Sequence, residues 1–197
     1  MIAYIKGKLV YKDPTHVIID VGGIGYQIRI SLHTYSAIKD QENLKLFTYL
    51  HIKEDSHTLF GFEQISEKDL FLDLISISGI GPSIGLMILS SLSPAEVKEA
   101  IVSEDVRTIQ AVKGIGAKTA QRLILELKDK IRKDLSIDKS ANISVKPHNT
   151  IKNEALSALV TLGISKVAAE KSLETILKRE GNEFTLEQLI KLALKSS

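Results

Sequence analysis

Over residues 1–62 apolar and polar positions alternate in short runs. IAYIKGKLV, HVIIDVG, GYQIRIS, LKLFTYLHI and TLFGF are rich in β-branched and aromatic side chains, and KDPT, GG and EDSH interrupt them. A period of two with turn residues between the runs predicts five short strands. Pro14 marks the first turn, and SLHTYSAIKD, between the third and fourth runs, predicts one helix. Near Glu63 the period lengthens. In SEKDLFLDLISI, Leu70, Phe71, Leu74, Ile75 and Ile77 recur at helical steps, and Ser66 with Asp69 is placed to cap the start. Helical periodicity then continues to about Asp134, with Pro82 and Pro94 near helix starts.

The stretch DLSIDKSANISVKPHNT is polar and aperiodic, and predicts a flexible linker. After it, NEALSALVTLG stops at Gly163, SKVAAEKSLETILKREG runs from Ser165 to near Gly181, and TLEQLIKLAL starts at Thr185 with Gln188 completing a capping box. The expected architecture is therefore multidomain. Residues 1–63 form an all-β barrel of OB type, since five strands with a helix after the third is the order of that barrel. Residues 64–134 are all-α, 135–149 are a linker, and 150–197 are a small three-helix, UBA-like bundle. At about 45 residues that bundle is marginal alone and stands to gain from a partner.

Composition narrows this picture little. The chain has 197 residues, no cysteine and a net charge of +2. Disulfides and thiolate metal sites are excluded, which fits a reducing compartment. The N-terminal MIAYIKGKLVYKDP lacks the apolar core of a signal peptide, and no apolar run approaches the ~20 residues of a membrane span, so a soluble cytoplasmic protein is expected. Any basic surface for nucleic acid must be local.

One such locality stands out. ISGIGPSIGLMIL at 77–89 aligns without gaps with VKGIGAKTAQRLI at 112–124, so Gly79, Ile80 and Gly81 match Gly114, Ile115 and Gly116. Each copy lies between two predicted helices. Glycine permits a sharp turn and close approach of a ligand, and the following helix opens with unpaired N–H groups at its positive dipole end. That combination binds phosphate and reads backbone, not base sequence. Lys118 and Thr119 add a charge and a hydroxyl. Basic residues Lys113, Lys118, Arg122, Lys128, Lys130, Arg132 and Lys133 surround the second copy, against Glu126 and Asp129. The first copy has Ser83 where the second has Lys118. The bland alternative is a pair of tight turns between helices that serve packing alone.

Other patterns are weaker. Residues 81–85 fit G-x-S-x-G, but a nucleophile elbow needs a preceding strand, and a helix is predicted there. Residues 116–119 echo the end of a P-loop, yet Ala117 stands where glycine must precede the lysine. His51 and His57 flank Glu54 and Asp55 near a predicted hairpin tip. A metal site is conceivable there, although solvated histidines are the simpler reading. Glu54 and Asp55 alone read as a polar turn that repels phosphate if DNA passes close.

Taken together, GGIGYQI at 22–28, KEDSHTLFGF at 53–62, GIGPSIGLMILSSLS at 79–93 and VKGIGAKTAQRLILELKDK at 112–130, in this order over essentially the whole chain, resemble the RuvA family of bacterial Holliday junction branch-migration proteins. The resemblance implies a homotetramer, alone or paired as an octamer, that holds a four-way DNA junction open. Its tandem helix-hairpin-helix motifs would grip minor-groove backbones through Gly79, Gly81, Ser83, Gly114, Gly116, Lys118, Thr119 and Arg122. Glu54 and Asp55 match the family's acidic pin, which guides strands apart. The tail would contact a RuvB-like hexameric ATPase, with Leu159, Leu162 and Ile164 as candidate contacts or core, and a RuvC-like resolvase is a further partner. The resemblance implies roles in recombination, repair and the SOS response, with no catalytic centre, cofactor or metal. The chain departs from better-known members at Ser83 and Ala117, where lysine stands at or next to the helix starts. Fewer cations predict a shallower salt dependence. Two rivals are a helix-hairpin-helix glycosylase or nuclease, for which Asp129 is the available acid, and a protein-binding adaptor.

Overall fold

In the computed structural model, which describes residues 1–39, 41–140, 147–180 and 184–195, the alternating segment forms β1 (Tyr4–Lys12), β2 (His16–Val21), β3 (Ile24–Ile30), β4 (Asn43–Ile52) and β5 (His57–Phe62). They close into a barrel in the order β1-β2-β3-β5-β4. All pairs are antiparallel except β3 with β5. A parallel pair cannot be joined by a tight turn, so the chain crosses from β3 through α1 (Leu32–Ala37) and β4 before β5 closes the ring. Alternate residues point inward: Val17, Ile19, Ile28, Ile30, Leu44 and Leu46 are buried, and Ile38 joins them. This is the OB-type order expected from the sequence.

The helical segment comprises α2 (Ile65–Ser76), α3 (Pro82–Ser91), α4 (Pro94–Val102), α5 (Val106–Gln110) and α6 (Ala117–Ser140). The cap expected at Ser66 and Asp69 is not used. Helix α2 starts one residue before Ser66, with extended Gln64 as its N-cap and no side-chain cap bond. Strand β5 runs almost directly into it, and the first-turn Glu67 is drawn to the barrel instead. Ser31 Oγ donates to Glu67 Oε1 at 2.7 Å and Thr34 Oγ1 donates to Oε2 at 2.8 Å, all three residues being buried. Leu32 N donates to Ser90 Oγ of α3 at 3.1 Å. Beside this clasp Phe71 of α2 packs its ring against Phe62, Phe60 and Tyr49, with centroids 4.8, 5.5 and 5.7 Å apart. Barrel and hairpin helices thus form one unit, Met1–Asp134.

The linker expected over 135–149 is helical at both ends. Helix α6 continues to Ser140, and α7 (Pro147–Thr161) opens on Pro147; residues 141–146 lie outside the described residues. Once nucleated by its packed first turns, a helix propagates cheaply through polar residues that show no apolar period. Proline at the first helical position is likewise a start, not a break. The second unit, Leu135–Ser197, contains α7, α8 (Lys166–Glu180) and α9 (Leu186–Lys195). Ala155, Leu159, Ala169, Leu173, Ile176, Leu189 and Ala193 make its core. Gly163 takes a left-handed φ of +94°, as expected of a helix stop, and the stop near Gly181 lies outside the described residues. The Thr185 box forms: Thr185 N donates to Gln188 Oε1 at 3.0 Å and Gln188 N to Thr185 Oγ1 at 3.3 Å. Among the described residues no helix is long and apolar enough to cross a membrane.

Candidate nucleic-acid interface

The repeated glycine stretch forms two matching hairpins. Residues 77–81 join α2 to α3, and residues 111–116 join α5 to α6. Ile80 N donates to Ile77 O at 3.0 Å, and Ile115 N to Val112 O at 3.2 Å. Gly85 N reaches Gly81 O at 2.9 Å, and Ala120 N reaches Gly116 O at 3.0 Å. Ile77, Ile80, Val112 and Ile115 are buried and anchor both turns. The hairpins also pack reciprocally. A Cβ on Gly79 would stand 3.5 Å from Thr119 Oγ1, and one on Gly114 would stand 4.0 Å from Ile84 Cγ1. Thr119 and Ile84 are themselves equivalent in the repeat, so the motifs face each other across a local pseudo-twofold.

The four glycines divide into two kinds. Gly79 and Gly114 have φ of +96° and +92°, a backbone that only glycine adopts at little cost, so they make the turns. Gly81 has φ −85° and ψ 172°, which any residue adopts. Gly116 is likewise outside the left-handed region. A Cβ on either would meet no atom within 4 Å, and both are exposed. The fold itself does not require glycine at these two positions, and both leave the backbone open to close approach. They immediately precede α3 and α6, whose first-turn amides lack helical acceptors and carry the positive end of the dipole.

Side-chain charge is scarcer here than the composition suggests. Lys118 and Lys113 are exposed and have no side-chain partner among the described residues. Arg122 Nη1 donates to Ser78 O at 3.4 Å, and its Nε lies 3.9 Å from Glu126 Oε1, so it first braces one hairpin against the other. Lys128 pairs with Glu104 and Lys130 with Asp73, tying α6 back to the α4–α5 turn and to α2. The Lys133 side chain lies outside those described. Thr119 is half-buried between the hairpins, whereas Ser83 is exposed.

The helices that lead into the second hairpin are capped. Ser93 and Glu96 form a full capping box on α4, and Asp105 caps α5. The Thr108 hydroxyl first, then the Thr108 and Arg107 amides, hold the Asp105 carboxyl below its ordinary value. The shift is downward, so the stabilisation is fully present above the ordinary carboxylate range and is lost as pH falls through the depressed value. Amide exchange protection over Val106–Gln110 is therefore expected to fall below about pH 4, before the barrel loosens. Unchanged protection down to the acid transition of the whole unit would contradict this.

Glu54 and Asp55 sit at the β4–β5 turn, closed by Lys53 N donating to Ser56 O at 2.8 Å. Both are exposed, and neither has an ion-pair partner among the described residues. Of the three tail residues read as contact or core, Leu159 has no exposed surface and belongs to the bundle core. Ile164 packs half-buried against that core. Leu162 is 61% exposed and lines a groove with Leu186 and Ile190. The G-x-S-x-G match is disposed of by packing: α2 precedes it, and Gly85 lies within α3, where a Cβ would come within 3.0 Å of Ile75 and 3.2 Å of Phe71. The Glu67 clasp has no signal in the sequence, because its partners lie more than thirty residues away.

An OB-type barrel clasped to two reciprocally packed helix-hairpin-helix motifs is the architecture of a DNA-binding protein. Family models described as RuvA N terminal domain, SAM-like helix-hairpin-helix tandem and RuvA C-terminal domain match residues 1–61, 71–129 and 150–197. A protein of Cytophaga hutchinsonii called "Holliday junction branch migration complex subunit RuvA" is 62% identical over 200 residues, covering 100% of both chains. Proteins of the same name from Christiangramia forsetii and Bacteroides fragilis are 56% and 44% identical, each covering 99% of both chains. The chain belongs to the RuvA family.

Proposed function

We propose that this protein is the non-catalytic DNA-binding subunit of a branch-migration complex, recognising four-way junctions by structure and loading a RuvB-like ATPase onto them. The observation that carries this is the pair of open positions, Gly81 and Gly116, each at the start of a helix and related by reciprocal packing. Two such sites, set apart by the clasped fold, suit two points on one duplex backbone. The names of the relatives support the junction as substrate. The working division is 1–63 barrel and pin, 64–134 DNA grip, and 150–197 motor contact, with Leu162 now the leading tail candidate. Four protomers around the junction, singly or as two facing tetramers, place four pins at the crossover, and a RuvC-like resolvase acts on the same complex. The setting is the cytoplasm. The test is a competition gel shift, four-way junction against linear duplex of the same composition. Strong preference for the junction supports the reading, and equal affinity reduces the protein to a general helix-hairpin-helix binder.

The pin adds a separate expectation. Glu54→Ala with Asp55→Ala leaves the melting temperature unchanged, because both side chains are exposed and neither forms an ion pair among the described residues. Junction affinity changes little, while the rate of strand exchange with the motor changes. A cooperative loss of folding in this variant would remove the pin reading.

A further inference from the structure

The first hairpin lacks the cation that the second carries, and the barrel holds one beside it. Ser83 stands where the repeat places Lys118. It opens one wall of a cleft of about 520 Å3 between α3 and the barrel. Along α3 that wall continues through Met87 and Ser90; the facing wall carries Gln27, Arg29 and Leu32. Arg29 is exposed on β3, and its guanidinium has no hydrogen bond or ion pair among the described residues. Among the described residues no carboxylate lines the cleft. The Asp13 carboxylate, on the turn that supplies part of the rim, is taken up by Thr15 N at 2.6 Å, Thr15 Oγ1 at 2.7 Å and His16 N at 2.9 Å.

An uncompensated guanidinium over a largely apolar cleft is matched to an anion from outside, and its planar fork fits phosphate. The cleft is continuous with the first hairpin, because Ser83 lies two residues after the open Gly81. From Ser83 to Ser90 the helix rises roughly 10 Å, enough to follow one strand past more than one phosphate. We propose that Arg29 is the cation of the first hairpin, binding the phosphodiester backbone of the same duplex arm that Gly81 and Ser83 hold. Among the described residues each hairpin then has an unpaired cation within reach: Lys118 at the start of its own helix for the second, and Arg29, across the cleft from Ser83, for the first. The assignment rests on the junction-binding reading above.

The test titrates four-way junction DNA of two unrelated sequences over a salt series. It uses the full chain as wild type, Arg29→Gln, Lys118→Ala and Arg29→Gln with Ser83→Lys, and sedimentation of each free protein is run in parallel. Arg29→Gln is expected to bind both junctions about tenfold more weakly, the worth of one charge-assisted hydrogen bond. Its slope of log affinity against log salt becomes shallower by about 0.9 for each phosphate that is no longer neutralised. Adding Ser83→Lys restores most of the affinity from the opposite wall, and sedimentation is unchanged throughout. Wild-type affinity and slope in Arg29→Gln overturn the assignment while leaving Lys118→Ala to report on the hairpins. A changed sedimentation coefficient also overturns it, since the cleft is then an interface between copies of this chain. If wild type shows no junction preference, the parent reading falls and takes this one with it.

Discussion

Gly81→Asp is expected to weaken junction binding roughly a hundredfold without weakening the fold. Gly81 is the N-cap of α3, in extended backbone, and makes no side-chain cap bond. A Cβ there meets nothing within 4 Å. Aspartate is among the best N-caps: its carboxylate accepts the first-turn amides and complements the helix dipole. Stability should be unchanged or raised by about 0.5 kcal/mol. Those same amides are the donors a phosphate needs, and the new carboxylate repels it. Losing two charge-assisted hydrogen bonds costs about 3 kcal/mol, or roughly a hundredfold in affinity. Gly81→Asn takes up the amides without the charge and should fall between. A thermal melt and a junction titration on the same samples check this. Retained affinity with an intact melt would mean that the first hairpin does not face DNA.

Glu67→Ala is expected to be the most destabilising single change in the unit Met1–Asp134. Glu67 is 2% exposed and takes both of its hydrogen bonds from buried hydroxyls of the barrel. Ser31 Oγ meanwhile accepts the amide of Thr34 at 3.0 Å, so the α1 cap and the clasp share one atom. Removing the carboxylate strands two hydroxyl donors out of water and leaves a void at the seam. The cost is about 3 kcal/mol, seen as a lower denaturation midpoint at unchanged slope. Glu67→Gln keeps the volume and one acceptor and should cost less. A loss below about 1 kcal/mol in the alanine variant would mean that the Phe71 ring cluster, not the clasp, holds barrel and hairpins together.

Some of this is legible in the chain and some is not, for reasons that differ by element. The strands are readable because half-buried strands alternate, and the five runs show it. The hairpins are readable because their sequence repeats and their turns need glycine. The extent of the linker is not readable, because apolar recurrence is what marks a helix in sequence, yet α6 reaches Ser140 through polar residues. The burial of Leu159 is equally hidden, because an apolar stripe does not say which of its members faces inward.

The basic run after the second hairpin shows the same limit for charge. Its sign is written in the sequence, but Lys128 and Lys130 are answered by Glu104 and Asp73, far away along the chain. Periodicity, punctuation and the repeat by themselves determined a five-stranded barrel, two glycine hairpins and a helical tail, because those features arise between residues a few positions apart. Tertiary structure alone decided which glycines make the turn and which leave room for a ligand, which cations stay free, and how Glu67 fastens barrel to grip. Each of those depends on what lies across space, and residues distant in sequence carry no local mark of meeting there.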